Sequence, residues 1–208
     1  MARISKGEET RGRLMDIAEE SILAKGFGAT SIDEIIEAAD ITKSGFFYHF
    51  PDKTALAKAL LTRYIDKEEE LLDDLFGRAA DLHEDPLHIF LIGLKLLADM
   101  MADLPGGHPG CLIATFCYND RLFDRDIRDL NNTSILAWRT RFRTMIDRIM
   151  QSYEPVDEVD LDGVADMLLS VTEGGIVLSR SLNDPVALSQ QILLYRSYIK
   201  LLFRPRQA

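Results

Sequence analysis

Lys43, Tyr48, His49 and Lys53 place two ammonium groups, a phenol and an imidazole within one short run, Thr42-Lys43-Ser44-Gly45-Phe46-Phe47-Tyr48-His49-Phe50-Pro51-Asp52-Lys53. All four side chains donate hydrogen bonds, and the cations suit an anionic partner. The small polar residues come first and the aromatic residues follow. That order fits a helix that meets a phosphate backbone with its first turn, where Lys43 and free backbone N–H groups point at phosphate and Gly45 permits close approach. The aromatic end anchors the helix to its own domain and leaves the Tyr48 hydroxyl, His49 and Lys53 able to reach sugar and phosphate.

Such a run needs a scaffold, and the residues before it provide one. Ile32, Ile35, Ile36 and Ala39 recur at i, i+3, i+4 and i+7, the apolar stripe of a short helix. Ser31 and Glu34 have the spacing of a capping box, and Thr30 with Asp33 offers a similar start one residue earlier. Asp40 marks a bend, and Thr42 supplies a hydroxyl to cap the next helix. Leu14, Ile17, Ala18 and Ile22 form the inner face of an earlier helix that Gly26 is suited to stop after Lys25. Asp52 caps a long helix carrying Leu56, Ala59 and Leu60, then Tyr64, Ile65, Leu71, Leu72, Leu75 and Phe76, to about Ala80. Two short helices joined by a tight turn form a helix-turn-helix, whose second helix enters a major groove.

Over these residues the chain resembles the DNA-binding domain of the TetR (tetracycline-repressor-like) family of transcriptional regulators. The resemblance rests on Ala29-Thr30-Ser31-Ile32, Ala39-Asp40-Ile41, Thr42 through Phe50, and Asp52-Lys53-Thr54-Ala55-Leu56, in order and at the family's spacing from about Gly12 to Tyr64. Carried across by position, it implies phosphate contacts from Thr30 or Ser31, Tyr48, His49 and Lys53. It implies groove contacts from Thr42, Lys43, Ser44, Gly45 and Phe46. Asp40 stands where the family has a turn glycine, and Phe47 stands where a tyrosine is common, so one phosphate-binding hydroxyl is replaced.

The chain has 208 residues, 47% of them hydrophobic, enough for one compact unit or two small domains packed together. No apolar run approaches the roughly 20 residues that cross a bilayer, and no signal-peptide core opens the sequence, which points to the cytoplasm. The net charge of −10 is uneven: residues 1–63 hold nine Lys and Arg against ten Asp and Glu, while residues 64–208 carry a net −9. Lys6, Arg11, Arg13, Lys43 and Lys53 lie near the expected DNA face. An acidic remainder suppresses non-specific attachment to DNA, so the pattern predicts modest non-specific affinity and strong salt dependence.

The remainder reads as helices throughout, with no strand pattern. Asp85 and Pro86 open a helix through Phe90, Leu94 and Met101, and Leu104-Pro105-Gly106-Gly107-His108-Pro109-Gly110 breaks it. A short buried helix over Cys111–Tyr118 and a long one from Arg125 to about Gln151 follow. Leu161, Val164, Ala165, Leu168, Leu169 and Thr172 share a face, after which Gly174-Gly175 allows another backbone close. Asp184-Pro185 opens the last helix, with Leu188, Ile192, Tyr195, Ile199 and Leu202 inward. The expected fold is all-α: a three-helix helix-turn-helix domain over residues 1–51 and a helical effector-binding and dimerisation domain over 52–208. The resemblance implies a homodimer through Asp160–Ser181 and Asp184–Phe203, hence a palindromic operator with recognition helices about 34 Å apart. It also implies a small-molecule effector.

Phe90, Leu94, Met101, Phe116, Tyr118, Trp138, Phe142, Met145 and Met167 are the candidate effector-binding residues, with Glu173 and Asn119 as polar partners. Such a lining suits an apolar or aromatic molecule, and an acidic partner favours a cationic one. Stripes at this spacing are more often plain core than ligand box, and it is the resemblance that implies an effector pocket lined by some of them. His83, Asp85, His88 and His108 lack an i, i+4 histidine pair and read as solvated side chains, so no metal and no cofactor is expected. Cys111 and Cys117 are too few for a zinc finger or a disulfide framework and read as reduced and buried. No nucleophile-base pair, phosphate loop or Glu-x-x-His pair supports an enzyme. A helix-turn-helix adaptor that binds only protein is the other alternative, and DNA binding separates it from a regulator.

Overall fold

The computed structural model describes residues 5–206; residues 1–4 and 207–208, the outer ends of the two expected domains, lie outside the described residues. It is all-helical apart from one pair of short strands. The backbone forms two compact units: one runs up to Lys67 and adds Pro109–Thr133, and the other combines Glu68–His108 with the chain from Ser134 onward.

In the first unit, α1 (Lys6–Lys25) starts at a capping box in which Ser5 and Glu8 satisfy each other's backbone N–H, and it stops at Gly26, whose φ of 88° few side chains tolerate. Helix α2 (Ile32–Ala38) is capped by Ser31, and α3 (Lys43–His49) by Thr42. Between them Asp40 has a φ of 50°, so Asp adopts the left-handed turn that a glycine would otherwise make. The capping box expected at Ser31 and Glu34 is only half formed. The Ser31 hydroxyl accepts from the Glu34 N–H at 3.1 Å, but the Glu34 carboxylate turns to Lys25 at 2.6 Å because an ammonium is a stronger partner than a backbone amide. Leu14, Ala18, Ile22, Ile35, Phe46, Phe50, Leu56 and Leu60 are almost wholly buried and make the core of this reader. Helix α4 (Lys53–Leu82) begins where Asp52 Oδ1 accepts from the Ala55 N–H at 2.7 Å, and it passes from the first unit into the second. Helix α6 (Leu112–Tyr118) and a 3-10 turn at Asp120–Leu122 complete the first unit, with the Phe116 and Phe123 rings stacked 4.3 Å apart and Phe27 4.6 Å from Phe123.

The second unit holds α5 (Pro86–Ala102), the latter part of α7 (Arg125–Ile149), α8 (Leu161–Leu182) and α9 (Ala187–Leu202). Helix α9 packs against both α5 and α8. Gly175 makes the α8–α9 approach possible: a Cβ there would lie 2.9 Å from the Leu188 Cα. Gly174, its neighbour, faces open space. The Tyr195 hydroxyl, buried in this contact, donates to the Val164 carbonyl at 2.8 Å, so its burial leaves no unpaired donor.

Three local expectations are corrected. The last helix begins at Ala187 rather than at Asp184-Pro185: Asp184 Oδ1 accepts from the Val186 N–H in a preceding turn, and Ser179 Oγ accepts from the Leu188 N–H. Two short strands, β1 (Tyr153–Pro155) and β2 (Phe203–Pro205), pair antiparallel where none was expected, since three residues are too few for a legible alternation. Cys111 is buried but Cys117 is exposed, because the short α6 buries only one of its faces.

Candidate nucleic-acid interface

Helix α3 has two unlike sides. Phe46 and Phe50, four residues apart, are buried, their centroids 5.9 Å apart, and the Arg11 guanidinium lies 4.6 Å above the Phe50 ring. Burying such a ring stabilises by about 3–5 kcal/mol against its removal, which fixes the helix on the unit. The opposite side presents Lys43, Ser44, Phe47 and Tyr48 to solvent, with Tyr48 84% exposed. The spacing i, i+1, i+4, i+5 makes these four one face.

At the helix start, Thr42 Oγ1 accepts from the Gly45 N–H at 3.1 Å and lies 3.0 Å from Ser44 Oγ. Lys43 Nζ approaches Asp33 at 3.4 Å with both side chains largely exposed, a pairing that solvent weakens to well under about 1 kcal/mol. His49 is half-buried and sets its ring edge-on to Tyr48, centroids 5.0 Å apart. Ser31 is exposed at the head of α2. A tyrosyl hydroxyl, an ammonium, two serine hydroxyls and the rim of an imidazole therefore share the surface around α3. This set can grip phosphate oxygens and reach base edges.

Two of the expected contact residues, Thr30 and Phe46, are buried, and two more, Gly45 and Lys53, are half-buried with contacts inside the unit. Thr30 is 1% exposed, and its hydroxyl donates to the Gly26 carbonyl at 3.1 Å, tying the end of α1 to the start of α2. Phe46 faces the core because the helical period aligns it with Phe50, so it cannot line a groove. Gly45 is small for an internal reason: a Cβ would sit 3.3 Å from Thr42 Oγ1 and 3.7 Å from Ile41, inside the turn. Lys53 turns inward, donating to the Phe27 carbonyl at 2.5 Å with its ammonium 4.1 Å from the centre of the Phe27 ring, and partial burial pushes its pKa down. Phe47, 42% exposed beside Lys43, joins this face though it was not among the expected contact residues. Its i+4 spacing from Lys43 was the signal that could have found it.

The expected effector-binding residues divide between the units. Phe116 and Tyr118 belong to the first, where Phe116 stacks on Phe123 and Tyr118 is 85% exposed, so Tyr118 lines no enclosed pocket as it stands. In the second, Phe90, Phe142 and Leu94 are fully buried, and Met101 nearly so. Phe76 and Tyr195, which were not on the expected set, join Phe90 and Phe142 through ring contacts of 5.7 to 6.4 Å. Trp138 lies 5.1 Å from Phe142, and its Nε1–H is buried with no hydrogen-bond partner among the described residues. Met145, Met167 and Glu173 are half-buried in the same unit.

Residues 14–60 match the model of the tetR family of bacterial regulatory proteins. The chain is similar to the uncharacterized HTH-type transcriptional regulator YvkB of Bacillus subtilis, 34% identical over 80 residues, which are 38% of this chain and 41% of that protein. It is also similar to the HTH-type transcriptional regulator TtgR of Pseudomonas putida, 34% identical over 91 residues, covering 42% of this chain and 41% of TtgR. The matched segments thus span less than half the length of these curated relatives. Over nearly the whole chain, the fold superposes on the crystal structure of a TetR transcriptional regulator from Chloroflexus aurantiacus, with a TM-score of 0.78, 25% identity, and coverage of 98% of this chain and 100% of that one. Among the described residues no helix is long and apolar enough to cross a membrane.

Proposed function

We propose that this chain, which belongs to the tetR family of bacterial regulatory proteins, is a cytoplasmic repressor that binds a palindromic operator as a homodimer and is released by a small-molecule effector. The observation that carries the reading is the solvent face of α3, where Lys43, Ser44 and Tyr48 stand free of the core while Phe46 and Phe50 lock the helix behind them. Ser31, Thr42 and His49 flank that face. Thr30, Gly45, Phe46 and Lys53 set its geometry from within.

Dimerisation is supported by α8 and α9, which leave Val177, Leu182, Leu194 and Leu201 between 59% and 76% exposed. A cluster of large exposed aliphatic side chains on two packed helices is a surface that a partner stabilises by covering. A second copy related by a two-fold axis would present two α3 helices to one side of a duplex and so read a palindrome. Effector binding is supported by the aromatic cluster around Phe90 and Phe142, where the orphaned Trp138 N–H is a donor that a ligand acceptor would satisfy. An effector that binds more tightly to a conformation with misaligned readers lowers DNA affinity by the same factor that DNA lowers its own.

Footprinting of the purified protein on the DNA upstream of its own gene tests the reading. Protection of an inverted repeat, lost on adding an effector, is the expected result. Binding to no duplex at low ionic strength rules it out.

A further inference from the structure

We propose that the link between α4 and α5 is a binding site for one divalent transition-metal ion, held by His83, Asp85 and His88. Within the described residues, each of the three offers a ligand atom, and these atoms all lie within 4.8 Å of one another. The two imidazole rings are nearly parallel, their centroids 4.5 Å apart with an interplanar angle of 15°. Asp85 Oδ1 lies 2.8 Å from His88 Nδ1, and His83 Nδ1 accepts from the Asp85 backbone N–H at 2.9 Å. Two imidazoles and a carboxylate therefore converge on one place.

The carboxylate is held from behind, as metal-binding carboxylates are. Asp85 caps α5 by accepting from the His88 backbone N–H at 2.9 Å, and its other oxygen accepts from the Tyr153 hydroxyl at 2.9 Å. Tyr153 is itself fixed by the pairing of β1 with β2, opposite Pro205. The histidines, by contrast, are exposed, and each is tied to Asp85 through its Nδ1, contacts that an ion would replace. Ligand atoms of one ion at bond lengths of about 2.0–2.2 Å lie closer together than 4.8 Å, so turning the two rings from their Nδ1 contacts with Asp85 toward the ion brings three ligands to it. Water would fill the remaining position.

Imidazole with a single carboxylate selects zinc, nickel, cobalt or copper over magnesium and calcium, which require more oxygen ligands. The spacing His-x-Asp-x-x-His hides the site from sequence, because His83 and Asp85 come from the three-residue link between α4 and α5 and His88 from the first turn of α5. The site is separate from α3 and from the aromatic cluster, so it does not depend on the function proposed above.

The test uses full-length, tag-free protein freed of metal by a chelator, titrated with Zn2+ against a chromophoric competitor and with Co2+ by visible absorption. The expected result is one ion per chain, a rise in Tm with Zn2+ but not with Mg2+, and at least tenfold weaker binding in each of His83→Gln, His88→Gln and Asp85→Asn. Asn preserves the helix cap, so a loss in Asp85→Asn reports the ligand and not the fold. Tyr153→Phe should weaken binding about tenfold by releasing the carboxylate. Circular dichroism confirms that each variant is folded. No uptake by the wild type, an equal response to Mg2+, or binding that survives His88→Gln and is lost in His49→Gln or His108→Gln would overturn the proposal.

Discussion

Lys53 and Phe27 are joined twice: the ammonium donates to the Phe27 carbonyl at 2.5 Å and stands 4.1 Å from the centre of the same residue's ring. One side chain thereby ties the first turn of α4 to the connection between α1 and α2, and positions the helix-turn-helix from a half-buried place. Replacing Lys53 with Met should lower stability by about 2–4 kcal/mol, the sum of a charge-assisted hydrogen bond and a cation–π contact, read as a fall in Tm. DNA affinity should fall with the slope of log K against log salt unchanged. A slope reduced by about one would instead place the ammonium on a phosphate.

Tyr48 and Lys43 should behave differently from Lys53 and from each other. Tyr48→Phe removes an exposed hydroxyl, so Tm should be unchanged while binding weakens to a similar extent on every duplex. Lys43→Ala should weaken binding, reduce the salt slope by about one and alter base preference around the centre of each half-site. Fluorescence anisotropy on operator and random duplexes across a salt series measures both. Equal loss on specific and random DNA for Lys43→Ala would remove its groove assignment.

Gly174 and Gly175 separate folding from assembly. Gly175→Ala drives a methyl group to 2.9 Å from the Leu188 Cα and should destabilise the unit by about 1–3 kcal/mol. Gly174→Ala meets nothing within 4 Å in the single chain, so the monomer should gain the few tenths to about 1 kcal/mol of alanine's helix preference. If a second copy packs there, the same change weakens the dimer, which sedimentation velocity detects. Leu194→Glu, at a 62% exposed position on α9, should yield monomers without unfolding.

Trp138 is the only tryptophan of the chain, so its fluorescence reports its surroundings without a label. A ligand that accepts a hydrogen bond from Nε1 should shift or quench the emission and raise Tm. Trp138→Phe should bind the same compound more weakly by about 1–2 kcal/mol. A ligand that stabilises the protein yet leaves this emission unchanged would place the effector elsewhere.

Acid should loosen the α1–α2 contact before the rest of the first unit. The Lys25 ammonium, bonded to the Glu34 carboxylate at 2.6 Å, holds the Glu34 pKa below its ordinary value of 4.5. A depressed carboxylate pKa contributes stability that is complete above the unfolded value and lost as pH falls through 4.5 toward the folded one. Glu34→Gln should therefore lower Tm at pH 7 and flatten its decline between about pH 5 and 3. A wild-type and variant difference that stays constant over this range would exclude the linkage.

The order of helices, four of their caps and the turn at Asp40 were legible in the chain itself, since each depends on residues within one or two turns of one another. Ser31, Thr42, Asp52 and Asp85 cap the helices they precede, as their types and positions foretold. The family pattern from Ala29 to Leu56 likewise identified the reader, because its spacing is local. What sequence did not decide was the direction of individual side chains. Phe46 and Phe47 are chemically alike and adjacent, and only the packing of α3 sends the first inward and leaves the second in solvent. Lys53 reads as a phosphate contact in the sequence, and only the fold brings the Phe27 carbonyl beneath it, 26 positions back along the chain. His83, Asp85 and His88 gather because two helices end and begin at one link, with Tyr153 arriving from 68 residues away. Local geometry follows from dihedral preference and hydrogen bonding between near neighbours, whereas partners distant in the chain are chosen by how whole helices pack.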